Sequence, residues 1–184
     1  MTGSAPTMRV LSVDGLVLEP QVAAHADEMF AVLSDPAIYE FENAPPQSLE
    51  WLRARFARLE TRRSRDGSEQ WLNWVIRVPG DLPGGRLIGY VQATVRSDGS
   101  AGIAYELASA YWGRGLATRA VNAMIDVLVA HYGVRELDAI AVRRNQRSLR
   151  LLERLGFEVA STQRHADFKI DPAEVLFSRR VAPP

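Results

Sequence analysis

The sequence predicts an α/β protein built on a mixed β-sheet, antiparallel in its first half and with a helical crossover near the middle. Short apolar or alternating segments recur along the chain and are typical of strands. Three of them follow one another through turn-rich sequence before residue 108, which favours antiparallel pairing. The strongest helical pattern, residues 115–131, then separates them from a further aliphatic strand, and this order favours a crossover.

The first third of the chain predicts one strand and two helices. Residues 10–18 have apolar residues at intervals of roughly two, which predicts a first strand that ends at Pro20. Residues 23–34 are expected to form a helix that stops before a proline. Ser48 is a suitable N-cap for a second, arginine-rich helix, in which leucine and phenylalanine recur at helical spacing.

The remaining two thirds predict the rest of the sheet and two more helices. The expected strands cover residues 71–78, 86–95, 101–107, 137–142, 157–162 and 174–181. The expected helices are 115–131, with its apolar face formed by alanine, valine, methionine and leucine, and 146–155, which Gly156 ends. We interpret residues 8–181 as a single domain and residues 1–7 as a flexible N-terminal tail.

Composition excludes several classes of chemistry. The chain has 184 residues, no cysteine and three histidines, so disulfides, thiolate metal sites and a cysteine nucleophile are excluded and no metal is expected. Its 22 basic and 22 acidic residues give no net charge that favours nucleic acid or an anionic membrane. No apolar run approaches a spanning helix, and the first residues lack a signal-peptide pattern, so we expect a cytoplasmic protein.

The most informative segment is the glycine-containing loop between the strand that ends at Leu107 and the long helix. Gly113 and Gly115 lack a Cβ, so the backbone there can turn tightly and approach a ligand closely. The first N–H groups of the helix have no intrahelical acceptor and lie at the positive end of its dipole. This arrangement favours a phosphate or pyrophosphate, with Arg114 as an adjacent cation. A tight turn that binds nothing is the alternative interpretation of the same glycines.

Two motifs together resemble the GNAT superfamily of N-acetyltransferases. The segment 112–118, Trp-Gly-Arg-Gly-Leu-Ala-Thr, resembles the acetyl-CoA pyrophosphate loop of that superfamily. The segment 145–157, which opens Asn-Gln-Arg-Ser and closes Leu-Gly-Phe, resembles its second motif, in the form found in the subgroup that acetylates ribosomal-protein N-termini. The resemblance implies a central sheet of about seven strands, splayed in its middle, with about four helices.

The resemblance also implies how the cofactor binds. The pantetheine arm of acetyl-CoA is expected in the gap between the strands 101–107 and 137–142, where it pairs with backbone groups near Leu107. The N–H groups of the loop and first helical turn are expected to hold the pyrophosphate. This predicted set is Gly113, Arg114, Gly115, Leu116, Ala117 and Thr118. Asn145 is expected near the acetyl end and Ser148 near the sulfur.

Acetyl transfer from a thioester to a neutral amine needs a base, an oxyanion donor and a proton for the departing thiolate. A backbone N–H near Leu107 or Ala108 is the predicted oxyanion donor, and Ser148 the predicted acid. Many members of the superfamily use a tyrosine one turn later, where this chain has Leu152. The alternative is that Asn145 is only an N-cap and Ser148 an ordinary helical residue.

Glu106 is the predicted base, with a structural glutamate paired to an arginine as the alternative. The expected acceptor is an amine, on a protein N-terminus or a small molecule, bound between the first two helices and the closing strands. The candidate side chains around this amine are acidic residues of the loop 35–42 and two tryptophans: Asp35, Glu40, Glu42, Trp71 and Trp74.

Two other functions remain open from the sequence. A silent acetyl-CoA sensor would keep the pyrophosphate loop without turnover, and a nucleic-acid-associated protein would use the arginine-rich helix. We interpret that helix as a solvated face, because the chain is neutral, and expect neither a nucleic-acid nor a membrane partner. A homodimer is common among similar proteins and stays open as well.

Overall fold

The structure, a computed structural model, describes residues 7–41, 43–80 and 84–182. The order of strands and helices follows the prediction except at two places, which are described below. The strands are β1 (Leu11–Val13), β2 (Leu16–Pro20), β3 (Glu69–Val78), β4 (Arg86–Arg96), β5 (Ser100–Leu107), β6 (Glu136–Val142), β7 (Glu158–Val159) and β8 (Glu174–Arg180). The helices are α1 (Ala26–Val32), α2 (Leu49–Glu60), α3 (Leu116–Tyr132), α4 (Gln146–Arg154) and α5 (Thr162–Asp167). Of the predicted tail, residues 1–6 lie outside the described residues.

The described strands form one mixed sheet in the order β1-β2-β3-β4-β5-β6-β8-β7. Neighbouring strands from β1 to β5 are antiparallel, β5 and β6 are parallel, and β8 is antiparallel to both β6 and β7. Helix α3 makes the crossover between the two parallel strands, as such a connection requires. The predicted mixed α/β sheet is therefore confirmed.

Two elements differ from their predictions, so the sheet has eight described strands rather than about seven, and five described helices rather than about four. The first predicted strand is a hairpin, because Asp14 and Gly15 both have positive φ (43° and 78°) and form a two-residue turn. The predicted strand 157–162 shortens to β7, because Ser161 Oγ accepts from the N–H of Arg164 and starts α5.

The sheet is splayed between β5 and β6. Their pairing covers only three residue pairs, from Ser100–Glu136 to Gly102–Asp138. At the other end of β5, the N–H of Ala108 donates to Ile88 O on β4 at 2.9 Å. Because hydrogen-bonding direction alternates along a strand, the backbone N–H and C=O groups of Ile103, Tyr105 and Leu107 point to the gap instead.

Helices cover both faces of the sheet and give two hydrophobic cores. On one face α3 packs its buried Val121, Met124 and Leu128 against residues such as Leu107. On the other face α1 and α2 pack against β3 and β4 through residues that include Met29 and Phe56. Side chains of a strand alternate between faces, so consecutive residues of β5 point to opposite sides of the sheet, and its buried Ile103 and Leu107 belong to the core on the α3 side.

Candidate functional site

A cleft of about 680 Å³ passes through the gap between β5 and β6 and opens on both faces of the sheet. This volume lies in the range typical of small-molecule and cofactor sites. The predicted site residues that line it are Glu106, Leu107, Gly113, Gly115, Leu116, Ala117, Thr118, Asn145 and Ser148. The structure therefore brings together residues from β5, from the start of α3 and from the start of α4.

The N-terminus of α3 presents bare backbone to this cleft. Gly115 is the N-cap of the helix with φ 71°, and no side chain caps it. A Cβ built on Gly113 or Gly115 would meet no heavy atom within 4 Å, so the space beside both glycines is open. The N–H groups of Leu116 to Thr118 precede the first intrahelical bond, which Arg119 N makes to Gly115 O at 3.2 Å.

Arg114 lies apart from the rest of the predicted pyrophosphate loop. It is exposed, its guanidinium stacks over the ring of Tyr111 at 5.4 Å, and it is outside the group of residues that line the cleft. Its role as a cofactor contact stays a prediction.

Some of the backbone groups on the edge of β5 that faces the gap already have hydrogen-bond partners within the protein. Leu107 O accepts a hydrogen bond from the indole Nε1 of Trp112 at 2.8 Å. The N–H of Ala108 is bonded to β4, so the prediction that it serves as an oxyanion donor is wrong. The N–H of Leu107 faces the gap by alternation and is the candidate that fits.

The start of α4 holds Ser148 in a defined place. Asn145 is the N-cap, and its Oδ1 accepts from the N–H of Ser148 at 3.1 Å, so the capping interpretation of Asn145 is an observed contact. Ser148 Oγ lies 2.8 Å from the Tyr105 hydroxyl on β5. No local pattern predicts this contact of Tyr105, because the two residues are 43 positions apart in the chain.

The side chain of Glu106 points to the other face of β5 from that of Tyr105. In the sheet register, Glu106 pairs with Tyr90 of β4. Burial raises the pKa of Tyr90 well above its usual range, and the charge of Glu106 and a hydrogen bond to it add to this effect. Burial also raises the pKa of Tyr39 to about 12, with smaller contributions from Glu106 and Asp35. This face of the cleft thus holds a carboxylate beside two neutral phenols.

Arg147 connects three segments at the mouth of the cleft. Its guanidinium lies 3.8 Å from the ring centroid of Trp112 and 5.8 Å from that of Phe41. It also forms an ion pair with Glu40 at 3.1 Å. These contacts hold the loop between α1 and α2 against the start of α4, next to Ser148.

The predicted surroundings of the acceptor need correction. Trp74 is fully buried and donates to Arg9 O at 3.0 Å, so it is part of the core and cannot form an acceptor wall. The carboxylate of Asp35 accepts from the N–H groups of Ala37 and Ser109, and the hydrogen bonding from Ser109 lowers the pKa of Asp35.

Of the remaining candidates, two have partners within the protein and the third is not described. Glu40 pairs with Arg147, Trp71 donates to Glu69 at 3.1 Å, and Glu42 lies outside the described residues. The side chains that do line this part of the cleft were not predicted. They include Ile38, Tyr39, Trp51, Arg55, Tyr90 and Ile140.

Several arginines of the α2 region have partners in the structure. Arg53 pairs with Asp27, Arg55 stacks on Trp51, Arg58 stacks on Trp71, and Arg62 donates to Gln21 O. Among the described residues, no group of histidine and acidic side chains is arranged to hold a metal ion. The described helices also include none with the length and apolar character needed to cross a membrane.

Comparison with known proteins identifies the family of this chain. Residues 15–158 match the model of the acetyltransferase (GNAT) domain. The fold is similar to that of RimL, a ribosomal L7/L12 α-N-protein acetyltransferase in complex with coenzyme A (TM-score 0.78, 15% identity, covering 96% of this chain and 100% of that one).

Two other solved structures have a similar fold. One is the ribosomal-protein-S5-alanine acetyltransferase from Vibrio fischeri (TM-score 0.75, 18% identity, covering 94% of this chain and 97% of that one). The other is a GNAT-family acetyltransferase from Bordetella pertussis (TM-score 0.69, 26% identity, covering 94% and 99%). The predicted resemblance to the ribosomal N-terminal subgroup is thus reflected in the neighbours. Because the domain match covers most of the chain and the splayed sheet agrees with it, the protein belongs to the GNAT family and is an N-acetyltransferase.

Proposed function

We propose that this protein transfers the acetyl group of acetyl-CoA directly to a primary amine while both substrates are bound. The observation that carries the proposal is the cleft, in which the edge of β5 that faces β6 adjoins the uncapped N-terminus of α3. The family supports the choice of donor, and the RimL structure similar in fold contains coenzyme A.

The donor side of the cleft fits a coenzyme A molecule. Its diphosphate would lie on the N–H groups of Gly113 to Thr118, where the open space beside the two glycines permits close approach. Its amide-containing arm would pair with the gap-facing groups of Ile103 to Leu107, as an added strand does. The thioester would then lie between Ser148 and Glu106, which both line the cleft.

The acceptor side has groups suited to an amine. Glu106 is the candidate base, acting directly or through a water, because its carboxylate faces the α1–α2 side of the cleft. Apolar and aromatic side chains around it, such as Trp51 and Ile140, exclude part of the water that would compete with the amine. An acceptor with one neutral amine at its end, either a peptide N-terminus or a small molecule, fits this side.

The chemistry needs no covalent enzyme intermediate, which agrees with a chain that has no cysteine. The N–H of Leu107 would stabilise the oxygen that gains negative charge as the amine attacks. Ser148 would donate a hydrogen bond to the leaving sulfur. Glu106 would take the proton that the amine loses.

The test measures binding and turnover separately. At a concentration of coenzyme A about 100 times its Kd, binding adds about 2.7 kcal/mol of stability, which for a domain of this size raises Tm by about 5–11 °C. Release of free thiol is then followed with peptides that carry free N-termini, with the same peptides N-terminally blocked, and with small primary amines. We expect release with free amines only.

The possible failures have different meanings. Tight coenzyme A binding without thiol release from any amine would favour the silent sensor. Absence of any Tm change with coenzyme A would contradict the assignment of the cleft.

A further inference from the structure

We propose that Tyr105 is a positioning residue for the transfer reaction: its hydroxyl donates to Ser148 Oγ and so leaves the serine proton available for the departing sulfur. The inference rests on the proposed function and extends it to a residue that neither the motifs nor the family match single out. It concerns the only hydroxyl–hydroxyl contact that the described residues show between β5 and α4.

Both partners of this contact are held in place. Tyr105 is half-buried and packs against the core beneath α3, so its ring has little freedom. The backbone of Ser148 is fixed by the Asn145 cap at the first turn of α4. The two oxygens, Tyr105 Oη and Ser148 Oγ, are 2.8 Å apart, which is an ordinary distance for an O–H···O hydrogen bond.

The direction of this hydrogen bond decides what Ser148 can do. If Ser148 donated to Tyr105, its single proton would be occupied and unavailable to the sulfur. The other acceptor on α4 that lies near the phenol is Ser148 O. That second contact is 3.5 Å long, beyond the usual range for hydroxyl donors, and the carbonyl already serves the helix as an acceptor. If Tyr105 donates to Ser148 Oγ, the serine proton stays available to the cleft, which Ser148 and Tyr105 both line.

The pKa values of a serine hydroxyl, a tyrosine hydroxyl and a thiol explain why a phenol next to Ser148 would assist the reaction. A serine hydroxyl, like water, has a pKa far above that of a thiol, so it is a weak acid toward a thiolate whose conjugate thiol has a pKa of about 8.5. A tyrosine hydroxyl, ordinarily about 10, is far closer to the thiol. A proton that leaves Ser148 is therefore best replaced at once from the phenol.

In the proposed departure of the thiol, the carbon–sulfur bond of the thioester breaks, and the sulfur keeps the electron pair and takes the proton of Ser148 Oγ. Ser148 Oγ takes the proton of Tyr105, which becomes a phenolate. The phenolate regains a proton from solvent after the thiol leaves. Within α4 the residue one turn after Ser148 is the buried Leu152, so the helix itself offers no hydroxyl at that place.

The experiment compares Tyr105→Phe, Ser148→Ala, the double variant and wild type, with Tyr132→Phe as a matched control. Tyr132 is a half-buried tyrosine of α3 and does not line the cleft. The first measurement is the pKa of the coenzyme A thiol when bound, from ultraviolet absorbance of the thiolate against pH. Ser148 donates to the thiolate and Tyr105 strengthens that donor, so we expect this pKa to rise in Ser148→Ala, to rise by less in Tyr105→Phe and to stay unchanged in Tyr132→Phe.

The second measurement is steady-state kinetics. We expect Tyr105→Phe to lower kcat by about 10- to 100-fold with little change in the KM for acetyl-CoA, which is at or below the lower end of general acid effects because Ser148 is retained. Because Tyr105 acts through Ser148, the double variant should be no slower than Ser148→Ala. A structural role alone would not give this non-additivity together with a raised thiol pKa.

The inference is overturned if coenzyme A binds to Tyr105→Phe with the wild-type thiol pKa, or if the two substitutions are additive in kcat. Failure of the wild-type protein to bind coenzyme A would overturn the proposed function instead, and wild-type turnover with an unaffected Tyr105→Phe would overturn only the role of Tyr105.

Discussion

Gly115 and Gly133 offer a matched pair of substitutions at the two ends of α3. Both glycines are left-handed, with φ 71° and 65°, and an added Cβ would meet no heavy atom within 4 Å at either position. Alanine at either site therefore has the same backbone cost, about 1–2 kcal/mol. For a domain of this length, that cost corresponds to a Tm lower by about 2–8 °C in both variants.

The two variants should differ in coenzyme A binding. Gly115 lines the cleft, and its Cβ would occupy the space through which a phosphate approaches the first N–H groups of the helix, whereas Gly133 is not among the residues that line it. Loss of one hydrogen bond to a charged oxygen, about 1.5–3 kcal/mol, corresponds to an affinity about 10- to 150-fold weaker. Gly133→Ala should bind as the wild type does.

Calorimetric titration with coenzyme A, together with thermal melts of both variants, provides the assay. If Gly115→Ala and Gly133→Ala lose the same stability and bind coenzyme A equally well, the backbone of this loop does not contact the diphosphate. Should Gly115→Ala prove too unstable, Gly113→Ala at φ 73° gives a second variant of the same loop.

Three further predictions concern the acceptor side and the stability of the fold. Glu106→Gln should lower kcat and remove the acidic limb of its pH dependence while coenzyme A affinity is unchanged; a retained acidic limb in the pH–rate profile would assign the base elsewhere. The hydrogen bond from Arg77 lowers the pKa of Glu19, so the stabilisation from Glu19 is complete above the ordinary value of 4.5 and is lost as the pH falls through the lowered folded pKa. Thermal melts should accordingly show Glu19→Gln less stable than wild type near neutral pH, with the difference shrinking below pH 4.5, and a constant difference would contradict the ion pair. Arg164→Met removes a partner of Asp138, whose side chain is only 4% exposed, and should cost about 3–5 kcal/mol in urea unfolding, part of which Asp138→Asn restores in the same background; no recovery would mean that Arg164 acts through packing alone.

The parts of the fold that the sequence predicted are those with strong local signals. The apolar face of α3, the glycines at its start and the Ser48 cap of α2 act over a few residues, and each was located correctly. The Asp14-Gly15 turn also has a local signal, since Asp-Gly between apolar segments is typical of a hairpin, and it could have been recognised. Ser161, as the cap of α5, is a similar case.

The parts that the sequence could not predict depend on register and on contacts between distant segments. Tyr105 contacts Ser148 only because the crossover through α3 and β6 brings the start of α4 next to β5. Whether Trp74 points to the core or to the acceptor depends on the register of β3, which no local signal fixes. Asp35 had an equally plausible role at the acceptor, and only its contact with Ser109, 74 residues away, shows that it anchors a loop.

The alternation of side chains along β5 has a consequence for how the activity can diversify. Tyr105 and Leu107 pack on the α3 side of the sheet, whereas the intervening Glu106 points to the side covered by α1 and α2. If the two substrates bind as proposed, substitutions under α1 and α2 should alter which recipient is chosen without disturbing nucleotide recognition, because β5 separates the two sides.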